Sequence, residues 1–442
     1  MPRSLLAALL CTALAAPLAA QQSADTIAPE AATQTPGATE PVGLPSHEAL
    51  TGAALEAKAA GRPVEAQDWM VAAANPLAVA AGANILRAGG TAADAMVAVQ
   101  LVLGLVEPQS SGLGGGAFLV WYNGTTGELT TLDGRETAPR AATPTLFQDE
   151  NGEPLKFFDA VVGGRSVGTP GTPALLEEAH RRWGKSNWQS LFSDAIFLAE
   201  NGFAVSPRLA ALVQGDADRL SRFPATAAYF LPGGEPLQEG ATLTNPAYAE
   251  TLRTLAREGA AGFYAGPVAS EIVRTVRTAP GNPGVLSAVD LALYQVIERD
   301  PVCAAYRVYE VCGMGPPSSG ALTVGQILGM LDGHDLAALG LQSAEAWRLI
   351  GDASRLAFAD RGRYMADSDF VPMPTDGLVE PAYLQERGMI LDREGALPEE
   401  EVQPGEPPWD HAFLWADDAS LELPSTSHIS IVDRFGNALS MT

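Results

Sequence analysis

The sequence predicts a mixed α+β protein, and three observations support this class. Two Ala-rich segments with helical character flank Gly89–Gly90, and several amphipathic helical patterns follow them. Alternating apolar segments separated by turn residues, such as the segment around Asn123–Gly124, predict strands. Hydrophobic residues make up 47% of the chain and charged residues 18%, which is typical of a globular protein.

The elements can be assigned in order along the chain. The first Ala-rich helix has Pro76 near its start and glycine beyond its end, as capping favours. The segment AFLVWYNGTTGELTTLD, from Ala117, predicts a β-hairpin. Further helices are predicted at about 172–184, 186–201, 246–258 and 266–278, in GALTVGQILGMLD after Ser318–Ser319, and in AEAWRLIGDASRLAFADRGRYM, while strands are predicted at 293–298 and 303–312.

The N-terminus has the pattern of a secretory signal. Arg3 precedes an apolar stretch from Leu5 to Leu18, and small residues follow at Ala19 and Ala20. We therefore interpret residues 1–20 as a signal peptide and residues 21–45, rich in Ala, Thr, Gln and Pro, as a disordered lead-in. The protein is expected to be exported, either periplasmic or secreted, and the remainder of the chain has no membrane-spanning run.

The charge balance excludes one class of partner. Lys and Arg number 27 against 52 Asp and Glu, which gives a formal net charge of −25. Nucleic-acid affinity depends on cations that neutralise phosphates, so nucleic acid is not an expected partner.

The two cysteines beyond the signal, Cys303 and Cys312, flank the alternating segment AAYRVYEV. A turn near Arg307–Val308 would bring them opposite each other across a hairpin, and an exported protein permits a disulfide. The alternative is two separate buried thiols.

Two glycine-containing motifs resemble known functional motifs, but each has a simpler structural explanation. The run from Gly112 to Gly116 follows a helix and precedes a strand, whereas a dinucleotide-binding loop follows a strand and precedes a helix. Close backbone packing therefore explains these glycines better than phosphate binding. An alternative is that the amides of the run border an active-site cleft. The segment from Gly164 to Gly168 matches the G-x-S-x-G elbow with Ser166 as nucleophile, but Pro170 and Pro173 delay the helix that the elbow requires. No H-x-x-x-H or C-x-x-C pair occurs, so no metal site is expected.

The C-terminal segment offers the best candidate nucleophile. Residues 392–424 form an acidic, Pro-rich loop or linker, and STSHISIVDRFGNALSMT then predicts a strand, a turn and a returning strand. An N-terminal-nucleophile hydrolase needs a Thr, Ser or Cys just ahead of a strand, where cleavage frees an α-amine that serves as its base. Thr426 meets this requirement, although on spacing alone an ordinary strand-edge threonine is the better explanation.

Seven segments spread over about residues 69–442 are informative together: MVAAANPLA with AGGTAADAMVAV, EPQSSGLGGGAFLVWY, LDGRETAPRAAT, GTPGTPA, MGPPSSGALTVGQIL, FADRGRYMADSDFV and STSHISIVDRFGNALSMT. In this order they resemble the γ-glutamyltranspeptidase family. The resemblance implies the four-layer αββα sandwich of N-terminal-nucleophile hydrolases, incomplete in this chain.

The resemblance also implies roles for individual residues. Thr426 matches the family's autoprocessing threonine, so cleavage between Ser425 and Thr426 would give a large chain, 46–425, and the start of a small chain, 426–442. Arg135 matches the arginine that holds the α-carboxylate of the γ-glutamyl group, which fits a guanidinium. Ser427 stands where many members have a second threonine.

The implied substrates are glutathione and other γ-glutamyl compounds, with amino acids, peptides or water as acceptors and no cofactor. The family's small chain also supplies an acidic residue and a Gly–Gly oxyanion hole, and neither of these small-chain groups is present in this sequence. Three alternatives stay open: a glutaryl or cephalosporin acylase of the same family, a serine hydrolase using Ser166, and an inactive truncated secreted homologue.

Overall fold

A computed structural model describes residues 47–410, 417–418 and 426–442, with side chains described from Thr51 onward. The predicted signal segment, the lead-in and Ser425 lie outside the described residues, as does part of the 392–424 segment. Within the described ranges helices and strands are mixed, and every pair of strands is antiparallel. The α+β prediction is therefore confirmed.

A six-stranded sheet with the order β1-β9-β10-β2-β3-β6 brings together distant parts of the chain. Two further pairs, β4 with β5 and β7 with β8, stand outside it. The strands are β1 (Met70–Ala72), β2 (Ala117–Tyr122), β3 (Leu129–Gly134), β4 (Phe203–Ala204), β5 (Thr242–Leu243), β6 (Ile297–Arg299), β7 (Pro301–Tyr306), β8 (Tyr309–Met314), β9 (Ile429–Val432) and β10 (Ala438–Met441).

The helices fall mostly between β3 and β9 in the chain. They are α1 (His47–Ala59), α2 (Pro76–Arg87), α3 (Ala92–Val106), α4 (Phe157–Val161), α5 (Thr172–Trp183), α6 (Ser193–Asn201), α7 (Pro207–Gly215), α8 (Ala217–Leu220), α9 (Pro224–Phe230), α10 (Pro246–Glu258), α11 (Ala261–Tyr264), α12 (Gly266–Arg277), α13 (Ala288–Leu293), α14 (Gly320–Leu331), α15 (Leu336–Leu339), α16 (Ala344–Tyr364), α17 (Thr375–Leu378) and α18 (Pro381–Gly388). Short 3₁₀ turns occupy Trp188–Phe192, Pro232–Gly234, Met389–Leu391 and Glu399–Glu401.

Helix α3 is the centre of the largest hydrophobic core. Every residue of this 15-residue helix except Gly104 is buried, and the helix packs against one face of the sheet. Its start is specified locally, because Thr91 and Asp94 form a reciprocal capping box. Helix α2 begins in the predicted way, with the Asn75 side chain accepting from the Leu77 amide and Pro76 in the first turn.

The C-terminal hairpin β9–β10 is inserted between β1 and β2 in the middle of this sheet. Its alternation is clean: Ile429, Ile431, Leu439 and Met441 are buried against the helices, whereas Ser430 points to the other face. Burying each large apolar side chain contributes about 1.5–3 kcal/mol, so the hairpin is an integral part of the core.

The turn of this hairpin is fastened to the N-terminus of α3. The buried carboxylate of Asp433 accepts the amide of Ala92, the first residue of α3, at 2.9 Å, and also accepts the amides of Phe435 and Asn437. A carboxylate at a helix N-terminus satisfies an otherwise unpaired N–H and interacts favourably with the helix dipole. The Lys185 ammonium lies 3.6 Å from the centre of the Phe435 ring and adds a second contact.

The hairpin β7–β8 carries the two cysteines. Cys303 pairs with Cys312 in the antiparallel register, and their sulfurs are bonded at 2.08 Å. The turn falls at Arg307–Val308, where Arg307 has a positive φ of 57°.

Some predicted elements were wrong in detail. The segment 293–298 is a strand only at its end: Leu293 is the last residue of α13, residues 294–296 are neither helix nor strand, and pairing with β3 begins at Ile297. The segment 186–201 is divided into a 3₁₀ turn and α6.

Among the described residues no helix combines the length and the apolarity needed to cross a membrane.

The Asp433 contact yields a stability prediction. Replacing Asp433 with Ala removes the acceptor of the buried Ala92 amide and of the turn amides. An unsatisfied buried group costs about 1–3 kcal/mol, so the free energy of unfolding should fall by at least this amount in denaturant titrations. Asp218→Ala, at an exposed surface aspartate, is the control and should change stability little. Equal stability of the two variants would contradict this account of the hairpin.

Candidate active site

The strand register places Thr426 and Arg135 at the same end of the sheet. Ile429 pairs with Met441, Met441 pairs with Leu119, and Leu119 pairs with Leu132. The residues just before β9, just before β2 and just after β3 therefore lie at the same end of the sheet. Strands β9 and β3 are three strand steps apart, about 14 Å.

Thr426 is exposed and lies in the extended segment that leads into β9. The next residue is different: the hydroxyl oxygen of Ser427 is buried and has no hydrogen-bond partner in the described part of the chain. In an extended segment alternate residues share a face, so Thr426 lies on the side of His428 and Ser430, away from the helices. A threonine hydroxyl at the start of a rigid strand is accessible from the open face of the sheet.

His428 connects the start of β9 to the end of β10. Its Nδ1 lies 2.6 Å from the Thr442 hydroxyl, and its Nε2 lies 3.1 Å from the hydroxyls of both Ser430 and Ser440. Partial burial lowers the pKa of His428, which favours the neutral imidazole near neutral pH. The imidazole and three hydroxyls thus form a polar cluster immediately beside the candidate nucleophile.

Arg135 follows β3 directly, and its backbone is held while its side chain extends into solvent. The amide of Arg135 donates to the Asp133 carboxylate at 2.9 Å, and its carbonyl accepts from the Tyr294 hydroxyl at 2.8 Å. The side chain is 61% exposed, and its Nε lies 3.1 Å from the Glu136 carboxylate. A largely exposed guanidinium retains donors that can bind a further carboxylate.

The glycine run packs beneath this arginine. A Cβ added to Gly116 would lie 2.6 Å from the Glu136 nitrogen and 2.8 Å from the Arg135 Cα. The carbonyl of Gly115 also accepts the amides of Gly171 and Thr172 at the start of α5. Close packing therefore accounts for Gly116 but not for Gly114, where an added Cβ would meet nothing within 4 Å. The packing of Gly116 brings the run to the sheet end that carries Arg135.

Ser166 lies in a different setting. The preceding segment, which an elbow requires as a strand, is helix α4, and the Ser166 hydroxyl donates to the Val161 carbonyl at 2.8 Å. Asn282 stabilises that helix by donating to the carbonyls of Asp159, Ala160 and Val162. The strand–nucleophile–helix geometry of a serine-hydrolase elbow is therefore not formed.

Potential metal ligands are sparse within the described ranges. One group of His, Cys, Asp and Glu side chains is close enough to share a cation there, formed by Cys303, Glu310 and Cys312. Its two sulfurs are bonded to each other, so they are not available as thiolate ligands.

Sequence reasoning missed three residues that shape this region: His428, Asp433 and Tyr294. His428 carried a usable signal, since it lies two residues after Thr426 and therefore on the same face of an extended segment. The partners of Asp433 and Tyr294 are 341 and 159 residues away in the chain, and no local pattern indicates them.

The lowered pKa of His428 predicts a pH effect on stability. An unfolded histidine titrates near 6.5. As the pH falls through that value the unfolded chain binds a proton more readily than the folded chain, so stability falls. His428→Gln should therefore lose less stability between pH 7 and pH 5 than the wild type, measured by denaturant titration across that range. A variant with the wild-type slope would contradict the assignment.

Comparison with known proteins shows which family this sequence matches. Residues 78–442 match the gamma-glutamyltranspeptidase family. The chain is 37% identical over 382 residues to a glutathione hydrolase proenzyme of Bacillus subtilis (strain 168), covering 85% of this chain and 64% of that protein. It is 35% identical over 386 residues to the acylase ACY 1 proenzyme of Pseudomonas sp. (strain SE83), covering 86% of this chain and 66% of that protein.

A solved structure of this family has a similar fold. The crystal structure of Helicobacter pylori gamma-glutamyltranspeptidase superposes with a TM-score of 0.74 at 34% identity, over 78% of this chain and 97% of the matched chain. The α+β arrangement is thus that of an N-terminal-nucleophile hydrolase, and the described residues form a six-stranded sheet, two short strand pairs and the helices. By sequence and by fold, this chain belongs to the gamma-glutamyltranspeptidase family.

Proposed function

We propose that this protein is a γ-glutamyltransferase and glutathione hydrolase that uses Thr426 as its nucleophile and Arg135 as the binding group for the substrate carboxylate. The observation that carries the proposal is that these two residues lie at the same end of the sheet, three strand steps apart. The glutathione hydrolase relatives support the substrate class. The chain spans 64% of the length of the Bacillus subtilis relative that it matches.

The first step is self-cleavage of the precursor. The Thr426 hydroxyl attacks the Ser425 carbonyl, the acyl group moves from nitrogen to oxygen, and water hydrolyses the ester. This yields the large chain ending at Ser425 and a small chain beginning at Thr426, its partner in the mature enzyme. The buried side chains of β9 and β10 keep the new N-terminus in the sheet after the peptide bond is cut.

Acyl transfer then proceeds through an ester. The Thr426 hydroxyl attacks the γ-glutamyl carbonyl, and its proton passes to the Thr426 α-amine, whose reference pKa of about 7.7–8.0 suits a base near neutral pH. The amine returns the proton to the leaving amide nitrogen. Water or the amine of an acceptor amino acid or peptide attacks the ester and regenerates the free hydroxyl.

Arg135 selects donors that bear a carboxylate at the far end of the acyl chain. Its exposed guanidinium lies across the sheet end from Thr426, so the arginine side chain and an extended γ-glutamyl chain together bridge the two strands. A planar guanidinium pairs with a carboxylate through two parallel hydrogen bonds. Arg135 therefore holds the donor while Thr426 attacks its other end.

A second candidate function is side-chain removal by a glutaryl or cephalosporin acylase, favoured by the similarity to the Pseudomonas acylase. A glutaryl group retains the carboxylate that Arg135 would bind and lacks the α-amine. Both functions would use Thr426 and self-cleavage. They differ in the α-amine of the donor, which a γ-glutamyl group carries and a glutaryl group lacks.

The cellular location follows from the N-terminal pattern. We propose that residues 1–20 direct export, which agrees with the Cys303–Cys312 disulfide, since disulfides persist in oxidising compartments. The mature enzyme would act on γ-glutamyl compounds in the periplasm or outside the cell.

Self-cleavage is tested by mass analysis of the protein expressed from its full reading frame. The wild type should yield a fragment with Thr426 at its N-terminus, because the hydroxyl initiates the acyl shift. Thr426→Ala should remain a single chain, and Thr426→Ser should be processed more slowly. A wild-type protein that remains intact, or a Thr426→Ala variant that is cleaved at the same bond, would overturn the proposal.

Donor selection is tested by turnover of a γ-glutamyl anilide and a glutaryl anilide. Arg135→Gln should raise the KM for both substrates about tenfold or more, because it removes a charge-assisted hydrogen bond worth about 1.5–3 kcal/mol. Arg208→Gln, at an exposed arginine on α7, serves as the control. Faster turnover of the γ-glutamyl substrate supports the transferase, whereas preference for the glutaryl substrate favours the acylase.

A further inference from the structure

The backbone of Arg135 is anchored on both sides, and the two anchors come from different elements. Its amide donates to Asp133 at the end of β3, and Arg299 of β6 in turn donates to the other oxygen of that carboxylate at 2.8 Å. Its carbonyl accepts from Tyr294, which follows α13. Both peptide planes around Arg135 are therefore held, which restricts the direction in which the side chain leaves the backbone.

The Tyr294 hydroxyl can reach the Arg135 carbonyl only because residue 171 is a glycine. A Cβ added to Gly171 would lie 2.1 Å from the Tyr294 hydroxyl oxygen and 2.0 Å from the carbonyl oxygen of Gly134. Neither distance can be tolerated, so a side chain at position 171 would displace the hydroxyl from Arg135. Gly171 lies in the segment GTPGTPA, to which the proposed acyl-transfer mechanism assigns no role.

The ring of Tyr294 is supported as firmly as its hydroxyl. It stacks in parallel on Tyr264, with ring centroids 5.6 Å apart, and the Tyr264 hydroxyl donates to the Pro170 carbonyl at 2.8 Å. Burial, with the nearby negative charges of Asp133 and Glu136, raises the pKa of Tyr294. The hydroxyl therefore stays protonated and remains a hydrogen-bond donor well above neutral pH.

We propose that Tyr294 is a positioning residue for acyl donors that bear a free carboxylate: by holding the Arg135 carbonyl, it fixes the guanidinium where the γ-glutamyl or glutaryl carboxylate binds. This inference rests on the proposed function of Arg135. Tyr294 acts at the far end of the donor and contacts neither Thr426 nor the reacting carbonyl. Its loss therefore weakens ground-state and transition-state binding equally, raising KM and leaving kcat unchanged.

The test compares three anilides with Tyr294→Phe, expressed from the full reading frame and checked for processing by mass analysis. The γ-glutamyl and glutaryl anilides carry the terminal carboxylate, whereas a 4-aminobutyryl anilide keeps the amine and lacks the carboxylate. For the two carboxylate substrates kcat/KM should fall roughly three- to tenfold, the effect of losing one hydrogen bond. For the 4-aminobutyryl anilide it should change less than twofold.

A matched control and a double variant separate positioning from general destabilisation. Tyr248→Phe removes another largely buried tyrosine hydroxyl, which donates to the Leu101 carbonyl at 2.9 Å, and should leave all three kcat/KM values unchanged. In an Arg135→Gln background, Tyr294→Phe should add no further loss, because the group that it positions is gone. If Tyr294→Phe does not fold, Tyr294→Met, which also removes the hydroxyl, takes its place.

The outcomes distinguish this inference from the function on which it rests. An equal loss for all three anilides, no loss at all, or a loss that persists in the Arg135→Gln background would overturn the role of Tyr294 and leave the proposed function intact. An Arg135→Gln variant that handles the carboxylate substrates like the wild type would overturn both roles. A processed wild-type protein that turns over none of the anilides would refute the proposed function, and the inference about Tyr294 with it.

Discussion

The insertion of the C-terminal hairpin into the middle of the sheet is the constraint on which the rest of the structure depends. Strand β10 pairs with β2, and β9 pairs with β1, so residues after 428 complete a sheet begun before residue 135. The pairing register is fixed because a shift of one residue would exchange Ile429 and Ile431 with Ser430 between the core and the open face. This register brings Thr426 to the sheet end that carries Arg135.

The two faces of the hairpin β9–β10 carry different kinds of side chain. The core face carries Ile429, Ile431, Leu439 and Met441, which hold the hairpin against α3. The open face carries Ser430, Ser440 and His428, joined by hydrogen bonds beside the candidate nucleophile. Asp433 secures the distal turn to α3, so the proposed cleavage before Thr426 would leave the strand held at its other end.

Much of this arrangement could be predicted from local sequence patterns. The capping residues of α2 and α3, the hairpin β2–β3 and the terminal hairpin all carry short-range signals. Thr426 was singled out by the family resemblance, since its spacing alone favours an ordinary strand-edge threonine. The strand that we predicted over 293–298 was mostly wrong, because only Ile297 and Glu298 of that segment pair with β3. The contacts of Asp433 with Ala92 and of Tyr294 with Arg135 could not be predicted, since they depend on tertiary packing of segments far apart in the chain.

The central claim is that Thr426 and Arg135 act on the two ends of one acyl donor, and covalent labelling tests it most directly. A γ-phosphonate ester analogue of glutamate, an electrophile that retains the α-carboxylate, would be incubated with the processed protein, and the labelled peptide identified by mass spectrometry. The account predicts an adduct on Thr426 that forms much more slowly in Arg135→Gln. An adduct on Ser166 or another residue, or labelling of Thr426 at the same rate without Arg135, would contradict it.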